Sequence, residues 1–363
     1  MRDGAVTLRT LRERREECGT RSPRSPIRVG DPLLPPSICV SLLFLLTPRA
    51  TLAHLAMATR LSDIVPLLSL DGLRGELAEL ESGSFVNLTD EELKEKIRLI
   101  HDAFTFAAPI YEAGTNIFRA VRVSERPTQA SRVSYPPPER VRSNGRLNKA
   151  GEVLFYGAMG QFASCLLECG HKVGEIFAVS AWRTKERMMF GHFGYSQAVF
   201  DRIKTLREMP FFVNQQASDE RNKMIREWQS RVFTAAVPPN QEHLYRLPIA
   251  LKNLGLAQIA EPLPEGPTLF SGVIYPSVAM WLLADNVAIL PSEVDTKMEL
   301  FEVMLLVIDS IIETPKPDGG KQTAHTLKAY DFAQADSQGN LIWGQKSRFV
   351  TSPTEQADNA KES

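Results

Sequence analysis

The chain has 363 residues, a formal net charge of −1 and 43% hydrophobic residues. This length predicts about two domains, or one large domain with appendages, and a core that needs neither disulfides nor metals. The near-zero charge gives no electrostatic basis for bulk nucleic-acid binding. Four cysteines are too few for a disulfide scaffold, and they favour a reducing, cytoplasmic compartment.

Residues 1–56 differ in composition from the rest of the chain. They are rich in Arg, Pro and Ser and contain a short apolar run at 38–46. A membrane span needs about 20 apolar residues, so this run predicts no span. The basic stretch is too long and diffuse for a signal peptide. We expect a disordered extension or sequence upstream of the true start at Met57, and we favour the latter over export.

Residues 57–110 predict a helical cap. Leucine and isoleucine recur at helical spacing over 61–80, with breaks at Pro66 and Gly72. Thr89 and Glu92 form the sequence pattern of a capping box. The helix that they begin is predicted to run to about Ala107, with one apolar face made of Leu93, Ile97, Ile100 and Phe104.

Residues 111–315 mix short strands with helices, which predicts an α+β domain. The predicted strands lie at 117–123, 153–156, 176–180, 273–275 and 287–290, and helices at 161–169 and over much of 196–254. Residues 316–363 form a polar tail in which segments 328–332 and 341–344 pair as a hairpin, and the last dozen residues are predicted to be disordered.

Candidate chemistry lies in three short clusters, of which two come early in this domain. The first is Phe-Arg-Ala-Val-Arg at 118–122, two arginines on a strand. The second is Gly-Arg-Leu-Asn-x-x-Gly at 145–151, followed by Leu-Phe-Tyr at 154–156 and a helix that carries Glu168. Arginine binds phosphate oxygens in a bidentate manner, and a carboxylate stabilises positive charge that develops on a sugar carbon.

The third cluster is Gly-Val-Ile-Tyr-Pro-Ser at 272–277, followed by Asn-Val-Ala-Ile-Leu-Pro at 286–291. In this order, the three clusters resemble the RES family, named for its Arg, Glu and Ser. The resemblance covers roughly residues 115–292. It departs from the compact family pattern in the long separation between Glu168 and Ser277 and in the additional helical cap.

The resemblance implies an ADP-ribosyltransferase-like mixed β core surrounded by helices. It implies an enzyme that degrades NAD⁺ at the nicotinamide–ribose bond, by phosphorolysis or hydrolysis, with inorganic phosphate as a co-substrate. Many members are toxins, so an antitoxin or immunity protein is an expected partner. No cofactor, metal, nucleic acid or membrane is expected. The resemblance places Arg119, Glu168 and Ser277 in catalysis, and Arg119, Arg146, Tyr156 and Ser277 in NAD⁺ binding.

Two alternatives remain open at this point. One is a transferase that places ADP-ribose on a protein or another acceptor, and the other is a catalytically inactive binding module. Each candidate also has an ordinary structural interpretation: Tyr156 as core packing, Ser277 as a turn cap and Glu168 as a helix-surface residue. His192 and His243 are assigned no role.

Overall fold

The structure is a computed structural model. It describes residues 5–7, 38–39, 67–102, 104, 109–159, 162–169, 172–200, 219–238, 240–257, 270–279, 284–315 and 321–348. The predicted interpretations of the rest of 1–66 and of 349–363 lie outside the described residues.

The described strands form one mixed β-sheet. Its strands are β1 (Ala5–Thr7), β2 (Ile38–Cys39), β3 (Pro109–Tyr111), β4 (Asn116–Val123), β5 (Phe155–Met159), β6 (Ile176–Thr184), β7 (Met188–His192), β8 (Gly272–Pro276), β9 (Asp285–Ile289), β10 (Met298–Pro315), β11 (Lys321–Ala335) and β12 (Leu341–Trp343).

The strand order is β1-β11-β10-β6-β4-β5-β9-β8-β7-β3-β2, with β12 paired to β11. Among the described pairs, β7 and β8 are parallel and the others are antiparallel. The long connections between sheet neighbours hold the helices. The coarse prediction of a mixed α and β fold is therefore confirmed.

Seven α-helices surround the sheet in the described part of the chain. They are α1 (Leu70–Glu81), α2 (Asp90–His101), α3 (Phe162–Glu168), α4 (Gln197–Phe200), α5 (Glu220–Thr234), α6 (Arg246–Ala257) and α7 (Pro291–Lys297). Helices α1, α2, α5 and α6 share an apolar core with one face of the sheet, to which β8 contributes Val273 and Tyr275. The opposite face buries a second apolar cluster that includes Ile274 and Val287.

The helical cap begins where the sequence predicts and ends earlier. Thr89 accepts from the Glu92 backbone and Glu92 returns the bond, so the capping box is confirmed. Leu93, Ile97 and Ile100 are buried as predicted. The helix ends at His101 rather than near Ala107, because Asp102 leaves the helical conformation with ψ 127°. Gly72 does not break α1, since its N–H is capped by Ser69 in the first turn.

Strands β4 and β5 separate part-way along their length. They pair only at Ile117–Met159 and Phe118–Ala158, whereas β4 pairs with β6 from Asn116 to Val123. Near this separation α3 packs on one face of the sheet, with Cys165 and Leu166 against Phe118 and Ala120. This opening brings a helix to the face of the sheet that β8 and β9 share.

Residues 321–343 contain two strands rather than a polar tail. A hairpin is present, with β11 and β12 joined by a turn at Gly339 (φ 79°), but the residues that pair with β12 are Ala333–Ala335 rather than the predicted 328–332. However, β11 also pairs with β10 from Pro315–Lys321 to Val303–Ala333. Polar composition concealed this strand because one of its faces is exposed, with Tyr330 62% accessible. Within the predicted N-terminal extension, β1 pairs with β11 and β2 with β3.

None of the helices in the described residues combines the length and the apolar character that crossing a membrane requires.

Candidate active site

The structure joins two of the predicted site residues directly. Glu168, at the last position of α3, accepts a hydrogen bond from the Ser277 hydroxyl at 2.9 Å. The same carboxylate oxygen, Oε1, accepts a second bond from Asn286 Nδ2 at 2.7 Å. Ser277 and Asn286 are buried, while Glu168 is exposed. Two strand-end donors therefore hold one oxygen of a carboxylate that remains open to solvent.

Strand register explains why these donors converge. Side chains alternate between the faces of a sheet, so Tyr275 and Ser277 point the same way. Tyr275 lies opposite Asn286 across the β8–β9 pair, and Asn286 lies opposite Ala158 across β5–β9. All four positions share the face on which α3 packs.

Asn286 is itself held in place. Its Oδ1 accepts a hydrogen bond from the Ser164 hydroxyl at 2.9 Å, and both side chains are buried. This contact fixes which end of the amide faces Glu168, because Oδ1 is occupied as an acceptor and Nδ2 is left to donate. Helix α3 therefore supplies both the carboxylate and the residue that orients its neighbour.

The turn of the second cluster is built around Tyr156. The Tyr156 hydroxyl accepts from Leu147 N at 3.0 Å and donates to Asn148 Oδ1 at 2.7 Å. Gly151 has φ 80°, a left-handed conformation that favours glycine. Burial raises the pKa of Tyr156 well above its usual range, so the hydroxyl stays protonated. The Arg-x-Asn-x-x-Gly spacing thus specifies a turn fastened to β5.

That turn carries Arg146 towards the helical layer. Its Nη1 donates to the carbonyl oxygens of Phe233 at 2.6 Å and Ala235 at 3.2 Å, and its guanidinium lies 5.6 Å from the centre of the Tyr245 ring. Free carbonyls at a helix end attract a cation. Arg146, which the sequence predicts to bind phosphate, therefore also caps the C-terminal end of α5.

Arg119 occupies the opening between β4 and β5. Its Nε donates to the Ser134 carbonyl at 2.9 Å and its Nη1 to the Tyr156 carbonyl at 2.8 Å. By strand alternation it points away from the face that Phe118 and Ala120 share with α3. Burial lowers its pKa, and the Cys169 and Cys165 thiols beside it act in the opposite direction. It contacts the site through the Tyr156 backbone rather than through Glu168.

The charges around the site are unevenly paired. Within the part of the chain that the structure describes, no cation forms an ion pair with Glu168, and no carboxylate pairs with Arg119 or Arg146. Burial raises the pKa of Tyr275 far above its usual range, with further contributions from Tyr156 and Glu168. Glu168 is thus an exposed negative group with no ion-pair partner among the described residues, while Arg119 and Arg146 are each engaged by main-chain carbonyl oxygens.

Sequence reasoning missed three residues of this arrangement, namely Ser164, Tyr275 and Asn286. Two of them had a readable signal. Tyr275 stands two positions before Ser277 on the same strand, and Asn286 is an amide at the start of an apolar strand. Ser164 had none, because a small hydroxyl on an apolar helix is ordinary.

Comparison with protein-family models, with curated proteins and with solved structures found no match to this chain.

Proposed function

We propose that the protein degrades NAD⁺ by cleaving the bond between nicotinamide and ribose, with phosphate or water as the acceptor of ADP-ribose. The observation that carries this proposal is the exposed Glu168 carboxylate, held by two neutral donors and by no cation within the described residues. Neutral donors fix the position of a carboxylate without cancelling its charge. Such a group suits a substrate that carries or develops positive charge.

The chemistry requires one bond to break and one to form. The C1′–N bond of the nicotinamide ribose breaks, and its electron pair goes to the ring nitrogen, so nicotinamide leaves as a neutral molecule. Positive charge then develops on C1′, as in glycoside hydrolysis. An oxygen of phosphate or water attacks C1′ and loses its proton to solvent. Because the leaving group needs no proton, one carboxylate is sufficient.

Glu168 is the residue that stabilises this charge. With Oε1 held by Ser277 and Asn286, Oε2 remains available to the ribose. A preorganised charge placed where the transition state becomes cationic contributes more to the rate than to substrate binding. Ser277 and Asn286 therefore act by fixing Glu168 before substrate arrives.

Arg146 is the proposed ligand of the pyrophosphate, and Arg119, which points to the opposite face of the sheet, would reach a phosphate only through the opening between β4 and β5. Each has a planar fork with five N–H donors. Arg119 donates two of these N–H groups to main-chain oxygens, and Arg146 donates to main-chain oxygens from Nη1. Tyr156 offers its ring to the ligand, since its hydroxyl is engaged by the 145–148 turn.

The finer fold assignment is part of the same proposal. An ADP-ribosyltransferase-like core is supported by the mixed sheet that opens between β4 and β5 and by the polar cluster beside that opening. A cytoplasmic location, a role as a toxin and control by an antitoxin or immunity protein remain predictions from composition and from the RES resemblance.

The test is NMR analysis of the products formed by purified protein from NAD⁺, with and without inorganic phosphate. We expect free nicotinamide in both reactions, released faster with phosphate and accompanied by a phosphorylated ADP-ribose. ADP-ribose alone would identify water as the acceptor. ADP-ribose bound covalently to protein would favour a transferase, and intact NAD⁺ after a long incubation would contradict the proposal.

A further inference from the structure

A second carboxylate lies beneath the candidate site, on the other face of the same strands. Asp285 is the first residue of β9, and its Oδ1 accepts a hydrogen bond of 2.5 Å from the Tyr195 hydroxyl. Both side chains are buried, with 7% of Asp285 and 4% of Tyr195 accessible. Tyr195 follows β7, so the bond ties two chain segments separated by 90 positions.

This placement is energetically costly. The surroundings of Tyr195 are apolar, including Ile274 and Val287, and no cation pairs with Asp285 among the described ion pairs. A carboxylate without compensation pays a large desolvation penalty. Burial accordingly raises the pKa of Asp285 to about 6, while the Tyr195 bond acts to lower it.

A few other polar side chains lie near Tyr195 within this apolar cluster. The His192 ring stacks on Tyr195 at 3.5 Å with an interplanar angle of 10°. Tyr111 and Tyr275 both raise the pKa of Tyr195, after burial and Asp285. Burial lowers the pKa of His192, and Arg226 lowers it further. His192 is therefore neutral at physiological pH and acts as a flat support for the tyrosine ring.

The backbone around Asp285 carries both donors to Glu168. Asn286 is the next residue, and Pro276, which precedes Ser277, lies directly opposite Asp285. Ser277 N donates to the Ala284 carbonyl at 2.8 Å, which extends the β8–β9 ladder by one bond towards the connection between the two strands. A displacement of Asp285 would therefore move the main chain from which both donors project.

We infer that Tyr195 and Asp285 form a positioning pair that holds Ser277 and Asn286 in register beneath Glu168. Its role in catalysis rests on the proposed function, but its role in fixing the strand ends does not. Ser277 lies just beyond the last residue of β8, where the regular strand pairing with β9 has ended at Pro276–Asp285, and such a position depends on few ladder bonds. A side-chain tether on the opposite face restrains this end without entering the site.

Hydrogen–deuterium exchange of the full chain tests the pair without any substrate. Tyr195→Phe removes the donor and leaves the carboxylate buried. We expect exchange of peptides covering 272–279 and 284–290 to rise at least tenfold at pH 7, and peptides from α1 and α2 to be unchanged. Tyr135→Phe is the matched control, because Tyr135 makes a similar bond to Asp295 at 2.8 Å in an exposed position. Tyr135→Phe should leave the exchange rates of both peptides equal to those of the parent.

A second variant covers the case in which Tyr195→Phe fails to fold. Asp285→Asn keeps an acceptor for Tyr195 and removes the titrating group, so its exchange should match that of the parent near pH 5, where Asp285 is protonated, and be slower than that of the parent at pH 7. Between pH 5 and 7, the ratio of parent to variant exchange should change as Asp285 titrates. The inference is overturned if Tyr195→Phe exchanges like the parent, if exchange rises equally in α1 and α2, or if the Asp285→Asn ratio is independent of pH.

Turnover adds the catalytic consequence. We expect Tyr195→Phe to lower kcat about tenfold with little change in KM, and Asp285→Asn to stay within about threefold of the parent, as for loss or retention of one hydrogen bond. If the parent releases no nicotinamide, the proposed function fails, while the exchange result still decides whether the pair positions the strands.

Discussion

A carboxylate lies on each face of the β8–β9 pair, and the two carboxylates differ in exposure and in their hydrogen-bond donors. On one face Glu168 is exposed and accepts from two neutral donors on a single oxygen. On the other, Asp285 is buried and accepts from one tyrosine, and its pKa rises to about 6. A charge that is exposed, fixed in position and not ion-paired by any of the described residues is available to a ligand. A buried charge with one partner contributes to the arrangement of the chain around it.

The same contrast distinguishes two adjacent residues of β9, one buried beneath the sheet and one at the candidate site. Asp285 and Asn286 are adjacent, but strand alternation sends them to opposite faces. The same few residues therefore connect the rigid interior to the candidate site. A substitution that displaces the backbone at one position will also displace the other, so tests of the site need controls on the opposite face.

The largest expected effect comes from Glu168→Gln. The substitution keeps shape and an acceptor for Ser277 and Asn286 but removes the charge. Turnover of NAD⁺ should fall on the order of 10²–10³, as for loss of one preorganised electrostatic group. The affinity for NAD⁺, measured by calorimetry, should change only a few-fold, since the ground state relies on the arginines.

Glu91→Gln is the control for that experiment. Glu91 is also exposed on a helix, with Lys94 at 3.6 Å, and lies in the cap. Its turnover should equal that of the parent. If folded Glu168→Gln also turns over within a few-fold of the parent, Glu168 is a surface residue like Glu91.

The sequence predicted the elements of this site better than their contacts. Glu168 and Ser277 were assigned from short motifs and prove to be in contact over 109 positions. Local signals sufficed for them because each motif marks the end of a strand or helix. Asn286 belongs to the third sequence cluster, but the sequence predicts no role for it, because its contact with Glu168 depends on the register of β9 with β8.

Arg119 shows the opposite limit of sequence reasoning. The prediction placed it on a strand, which is correct, and near the ligand phosphates, which remains a prediction. Which face of a strand a residue occupies depends on the register of the whole sheet. The opening between β4 and β5 that receives its guanidinium involves strands 37 positions apart at the Arg119–Tyr156 contact, and no local pattern encodes it.

The second expected effect concerns Asp285 and stability. Its pKa is about 6 in the folded chain, above its ordinary value of 3.8. Between these values, the folded state retains a proton that the unfolded state loses, so folding stability falls as pH rises from about 4 to about 6. Asp285→Asn lacks this dependence. Relative to the parent, the variant should gain up to about 3 kcal/mol between pH 4 and 7, from a shift of about two pKa units.

Urea denaturation of the parent and Asp285→Asn at a series of pH values measures this difference. A difference in the free energy of unfolding that is constant from pH 4 to 7 would show that Asp285 titrates alike in both states. In that case, the two carboxylates would differ in exposure but burial would not have changed the pKa of Asp285.

The smallest expected effect is that of Ser277→Ala, and it tests whether the donors matter because they position a charge. A hydrogen bond to a charged group contributes more than one between neutral groups, and its loss should slow turnover roughly tenfold. The effect should be smaller than that of Glu168→Gln because Asn286 still donates to Oε1.

Ser271→Ala is the matched control, since buried Ser271 donates to Glu293 at 2.6 Å just before β8, away from Glu168. If the charge is the essential feature, Ser277→Ala in a Glu168→Gln background should cost little more, because the two residues act as one unit. Equal and additive losses from Ser277 and Glu168 would instead indicate that the serine contacts the substrate independently.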